Sequence, residues 1–156
     1  MTNKLSVLSS LFLITLCSCS LSGQSLNNES NHRFEDYQIV NDNQINWQDV
    51  LMQEESNYFV FVYSETCSNC HDIQEEIVNF AVDKIMPTYF VDTKKSGDVT
   101  ISKDVDSSIG ASKMDDVSIL GTPSVLEVED KIVIANIAGK ENILSLLNEK
   151  RANKDN

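Results

Sequence analysis

Apolar and polar positions along the chain fall into blocks with different periods. Leu5 to Leu16 is an uncharged run of Leu, Val, Phe and Ile spaced by Ser and Thr. Ser20 to Asn31 is nearly devoid of apolar residues and has no period, so it predicts a flexible polar tether. Tyr37 to Val40 is a short mixed run that predicts an edge strand. Asn46 stands where it can cap a short helix carrying Trp47, Val50 and Leu51 on one face. Tyr58 to Tyr63 is continuously apolar and β-prone, the signature of a central strand covered on both faces. Ile73, Ile77, Val78, Phe80 and Ala81 then recur at helical spacing up to Pro87. Thr88 to Asp92 is the next strand, and strand, helix, strand in this order predicts a right-handed βαβ unit.

The stretch from Lys94 to Gly110 is polar, with short helices expected at Asp104 to Ile109 and within Ala111 to Val117. Ser124 to Val128 and Lys131 to Ala138 are apolar runs separated only by Glu129-Asp130, a gap that demands a hairpin and makes the sheet mixed. Gly139 ends the last strand, and Ile143, Leu144, Leu146 and Leu147 line a final helix. The expected fold is α/β, a central mixed β-sheet flanked by helices on both faces. The expected segments are residues 1–18, a tether over 19–33, one domain over 34–150, and a frayed tail over 151–156.

Composition narrows the function. Among 156 residues, 24 acids face 12 bases, a formal charge of -12 without any basic stripe, which argues against nucleic acid as a partner. Hydrophobic residues make up 41%, enough for a core. The apolar run of Leu5 to Leu16 spans only ~18 Å as a helix, short of a ~30 Å hydrocarbon layer, and follows the positive Lys4, so it reads as an export signal. Leu16-Cys17-Ser18-Cys19 resembles the bacterial lipoprotein cleavage box. That resemblance implies removal of residues 1–18 and lipidation of Cys19, with the mature chain held on the extracytoplasmic face of the membrane. Stable anchoring needs more than one acyl chain, as a multiply acylated cysteine provides. Simple cleavage and secretion is the alternative.

The remaining cysteines lie in Cys67-Ser68-Asn69-Cys70, where an apolar strand hands over to a helix. A cysteine at a helix start meets unpaired N–H groups that favour its thiolate, and Cys70, one turn on, is within reach of a disulfide. Thr122-Pro123 precedes the strand from Ser124. With this order of elements, CxxC after an apolar strand, and Thr-Pro before a hairpin, residues 37 to 150 resemble the thioredoxin family. Asp92 and Gly139 also stand where its members commonly carry Asp and Gly. The resemblance implies a thiol–disulfide oxidoreductase with Cys67 and Cys70 as the redox-active pair. A cis Pro123 and the Thr122 backbone would bind an extended substrate segment. No dissociable cofactor is implied, because the dithiol is the redox group. The expected partners are exported proteins bearing thiols or disulfides and a membrane redox partner. The chain also resembles small thioredoxin-like accessory proteins of Gram-positive bacteria, some of which accompany disulfide-containing bacteriocins.

Two departures stand out. Thr66 precedes Cys67 where thioredoxins usually have Trp, and Phe61 takes the place of a buried acid six residues before the first cysteine. Glu65 is nearby and expected to be exposed. Three other readings stay open at this point. One is a binding or accessory module of the same fold without redox turnover. A second is a metal site using Cys67, Cys70 and His71. The third is c-type haem attachment at Cys67-Ser68-Asn69-Cys70-His71, with Met114 as second axial ligand. His71 itself is expected to be a solvated helix residue beside the pair.

Overall fold

The structure, a computed structural model, describes residues 32–104 and 106–154. The export signal over 1–18, the lipidation site Cys19 and the tether up to residue 31 lie outside the described residues. Four strands, β1 (Asn57–Tyr63), β2 (Thr88–Asp92), β3 (Ser124–Glu129) and β4 (Ile132–Ala138), form one sheet in the order β2-β1-β3-β4. β2 runs parallel to β1, while β3 is antiparallel to β1 and to β4. The sheet is mixed and flanked by helices, as the pattern predicts.

β1 is central because nothing in it except Asn57 tolerates water. Phe59, Phe61 and Tyr63 point into one apolar cluster, with Cys70, Ile77, Phe80, Ile143 and Leu147. Tyr58, Val60 and Val62 point into another, with Trp47, Val50, Val117, Ile119 and Leu126. The first cluster is roofed by α1 (Gln38–Asp42), α2 (Ser68–Asp72), α3 (Gln74–Val82) and α4 (Lys140–Lys154). The second is closed by short 3-10 turns, including Trp47–Asp49, and by the segment leading to β3.

The hairpin turns on Asp130 and Lys131, with φ of 47° and 67°. Two left-handed residues form the tight turn whose twist matches the flanking strands. The turn is therefore one residue later than the apolar runs suggest, while β3 begins at Ser124 and β4 ends at Ala138 as expected.

Several elements differ from expectation. Residues 38–42 form α1 instead of an edge strand, tied by Gln38 Nε2 to Asp42 Oδ1 and by Asn41 Nδ2 to the Glu35 carbonyl. The edge pairing is displaced to Gln44, which bridges Phe90 in parallel. Four mixed residues do not separate the two periods. α3 stops at Val82, five residues before Pro87, and Lys84 turns the chain with φ of 51°. Residues 106–108 and 114–116 are single 3-10 turns. The expected frayed tail instead continues α4 to Lys154. Arg151 pairs with Glu76 at 3.0 Å, and Lys154 Nζ donates to the Asp83 and Lys84 carbonyls. The domain also starts earlier than Phe34, since the His32 carbonyl accepts from Gln74 on α3.

Candidate active site

β1 delivers the chain to one end of the sheet at Tyr63, and a turn follows in which the Cys67 N–H donates to the Ser64 carbonyl at 3.0 Å. Thr66 caps the same turn through the Ser64 hydroxyl. Cys67 becomes the N-cap of α2, and its sulfur accepts the Cys70 N–H at 3.2 Å. Ser, Asn and Cys so placed suit a first helical turn, and Ile73 interrupts the helix before α3 begins. Cys67 and Cys70 are joined as a disulfide, their Cα atoms 5.2 Å apart. Cys67 is half-buried, whereas Cys70 is fully enclosed in the cluster with Phe61 and Tyr63.

Facing the pair is the turn into β3. The Thr122-Pro123 peptide is cis, and the Thr122 carbonyl lies 3.4 Å from the Cys67 sulfur. Pro123 is anchored from behind by the Gly139 N–H, which donates to its carbonyl at 3.0 Å. Gly139 has a φ of +86°, a left-handed conformation that a side chain there would strain. The structure thus brings Cys67, Cys70, Thr122 and Pro123 together from segments 55 residues apart. Cys19 lies outside the described residues.

Asp92 is buried at the end of β2. Its Oδ1 accepts the Lys94 N–H at 2.9 Å, and Lys95 Nζ is 3.8 Å from its other oxygen. It shapes the turn after β2 rather than touching the sulfurs. Tyr63, next to it, has its phenol held well above the usual range, first by burial and then by the charges of Asp92 and Glu65.

His71 is half-buried, and its Nε2 lies 2.9 Å from the Glu65 carbonyl. A carbonyl only accepts, so this nitrogen carries the proton. His71 is therefore fastened across the turn instead of being freely solvated. Met114 packs with the cluster on the other face of the sheet from Cys70, so His71 and Met114 do not converge on a haem. Among the described residues no three His, Cys, Asp or Glu side chains gather in a metal-sized group, so Cys67, Cys70 and His71 do not form one. Phe61 occupies the interior beneath the pair, stacked at 6.0 Å on Tyr63. Glu65 is not exposed as expected: it is half-buried, with both carboxylate oxygens shielded. Its shielded position and the His71 bond leave no mark in the sequence, where both residues look like ordinary solvated positions.

No family model matches the chain, and no curated protein matches it. Solved structures do. One, a thioredoxin-fold protein provisionally assigned as an oxidoreductase, superposes with a TM-score of 0.50 at 14% identity, over 74% of this chain and 99% of that one. Thioredoxin f2 of Chlamydomonas reinhardtii gives 0.47 at 17% identity, over 68% and 93%. Mitochondrial thioredoxin 3 of Saccharomyces cerevisiae, in its oxidised form, gives 0.45 at 14%, over 68% and 86%. At these identities the likeness is one of fold, and this chain has a thioredoxin fold.

Proposed function

We propose that the protein is a membrane-anchored, extracytoplasmic thiol–disulfide oxidoreductase acting on exported proteins through Cys67 and Cys70. The observation that carries the reading is the asymmetry of the pair: Cys67 is half-buried, its sulfur 3.4 Å from the Thr122 carbonyl, while Cys70 is enclosed. Only one of the two can meet a protein substrate, and the other stands where it can finish the reaction.

In the reducing direction, the Cys67 thiolate attacks one sulfur of a substrate disulfide. A Cys67–substrate bond forms as the substrate S–S bond breaks, and the departing thiolate takes up a proton. Cys70 then loses its proton and attacks Cys67, closing the protein disulfide and releasing the second substrate thiol. Two electrons and two protons pass to the substrate. The oxidising direction is the reverse. The Cys70 N–H bonded to the Cys67 sulfur stabilises charge on it during attack. The Thr122 carbonyl offers an acceptor to an extended substrate backbone laid across the pair. A membrane redox partner returns the pair to its starting state, and Cys19 lipidation keeps the domain at the surface where exported chains emerge.

The test is a Cys70→Ser variant of the full chain. It is expected to accumulate mixed disulfides with exported proteins, lost when Cys67 is also replaced, while wild type reduces insulin or supports oxidative refolding. If no mixed disulfide forms and both assays stay silent, the reading fails. Cys19→Ala is expected to move the protein out of the membrane fraction.

A further inference from the structure

The turn that presents Cys67 holds a carboxylate without a hydrogen-bond partner. Glu65 lies two residues before Cys67, and both of its carboxylate oxygens are shielded from solvent without a hydrogen-bond partner. What fixes this residue is its carbonyl, which accepts the His71 Nε2–H at 2.9 Å. His71 follows Cys70 on α2, and its ring is braced against Phe34, centroids 6.4 Å apart. The residue that fastens the Glu65 main chain therefore belongs to the same short helix as the buried sulfur.

Other charges near the pair are accounted for. Asp72, at the end of α2, binds Lys140 of α4 at 2.6 Å. Asp92 has Lys95 and the Lys94 N–H. Glu65 alone among these acids has no partner for its carboxylate. Its charge also reaches the interior, since it helps hold the Tyr63 phenol in its neutral form, after burial and Asp92. Tyr63 shares its apolar cluster with Cys70.

We propose that Glu65, on a turn whose main chain His71 fastens, sets the redox poise of the Cys67–Cys70 pair by opposing thiolate at Cys67 and so disfavouring the reduced form. A like charge close to an ionising group disfavours its charged state. A dithiol whose thiolate is stabilised is the stronger oxidant in its disulfide form. Glu65 works in the opposite sense, against the Cys70 N–H that favours thiolate, and weights the pair toward giving electrons. This deepens the oxidoreductase reading and rests on it. His71 is here a positioning residue, acting through Glu65.

The test uses the full-length chain equilibrated with glutathione at pH 8. The reaction is disulfide protein plus two glutathione giving dithiol protein plus glutathione disulfide. The Cys67–Cys70 state is read by mass on the peptide that carries both cysteines. Glu65→Gln, which keeps the shape and removes the charge, is expected to shift the equilibrium constant toward dithiol by roughly threefold to tenfold, tenfold being about 30 mV for this couple. Alkylation of Cys67 is expected to quicken in parallel. His71→Ala shifts it the same way by a smaller factor, and His71→Gln, which retains an N–H donor, stays near wild type. The double variant Glu65→Gln with His71→Ala matches Glu65→Gln alone. The proposal is overturned if Glu65→Gln leaves the constant unchanged or moves it toward disulfide, or if the two substitutions add independently. A merely structural role would lower the unfolding midpoint of His71→Ala without moving the constant, which also overturns it. Silence in the insulin and refolding assays would sink the oxidoreductase reading while leaving this equilibrium measurable.

Discussion

Phe34→Ala probes whether the segment before α1 is part of the domain or merely laid upon it. Phe34 is fully buried, its ring 4.2 Å from that of Tyr63 and 5.6 Å from that of Phe61. It lies in the cluster that encloses Cys70. Emptying such a position removes the transfer free energy of a benzyl group and leaves a cavity, about 3–5 kcal/mol together. A domain of this size has roughly 5–15 kcal/mol in total, so the loss is a large fraction of it. With a urea slope of about 1–2 kcal/mol/M, the midpoint should fall by roughly 1.5–5 M. Lys140→Ala is the control: it breaks the exposed pair with Asp72, 35% and 50% exposed, and should change stability by less than about 1 kcal/mol. Urea unfolding followed by far-UV circular dichroism measures both. A Phe34→Ala loss below about 1 kcal/mol would show that the aromatic cluster closes without it, refuting the claim that the N-terminal segment completes the core beneath the redox pair.

Two further outcomes follow from the same geometry. Ending the chain after Lys150 removes the Arg151–Glu76 pair and the Lys154 bonds to the Asp83 and Lys84 carbonyls, and is expected to destabilise the domain by about 1–2 kcal/mol in the same assay. A frayed tail would give no change. Burial raises the phenols of Tyr58, Tyr63 and Tyr89 above their ordinary value, with the Glu55 carboxylate hydrogen-bonded to Tyr89 adding to the effect there. In the unfolded chain these phenols ionise near 10, so the stability they contribute is complete below that pH and is lost as pH rises through it. Absorbance at alkaline pH should show their ionisation delayed and coincident with unfolding; three phenols titrating near 10 in a folded chain would contradict this.

The parts of the fold that could be read from sequence are those where one period dominates over a long enough run. β1 was plain because six successive residues are apolar, and a strand buried on both faces is the one element that needs this. The hairpin was forced by a two-residue gap, whichever residues filled it. Residues 37–40 failed for the opposite reason: four residues fit either period, and what decided them was side-chain bonding to Glu35 and Asp42 that no pattern records. The tail failed because its charges were read as solvated, whereas Arg151 and Lys154 find their partners 75 and 70 or 71 residues away in sequence. Long-range ion pairs leave no trace in local composition.

The site divides along the same line. That Cys67 and Cys70 face Thr122 and Pro123 was legible because a CxxC at a strand-to-helix handover and a Thr-Pro before a hairpin fix each pair's place in the fold. Glu65 and His71 were not, since an acid and an imidazole near a loop are by default solvent-facing. Their joint position follows from Phe61. With an aromatic ring filling the interior six residues before Cys67, stacked on Tyr63 and edge-on to Phe90, no room is left there for an ionisable group. An unpaired charge in that layer would also be costly to desolvate. The carboxylate stands instead in the turn, two residues before Cys67, with both oxygens shielded. The His71 Nε2–H on the Glu65 carbonyl fastens the main chain of that turn. The aromatic core and the turn are thus two halves of one arrangement: the first excludes an acid from beneath the pair, and the second carries one two residues before Cys67.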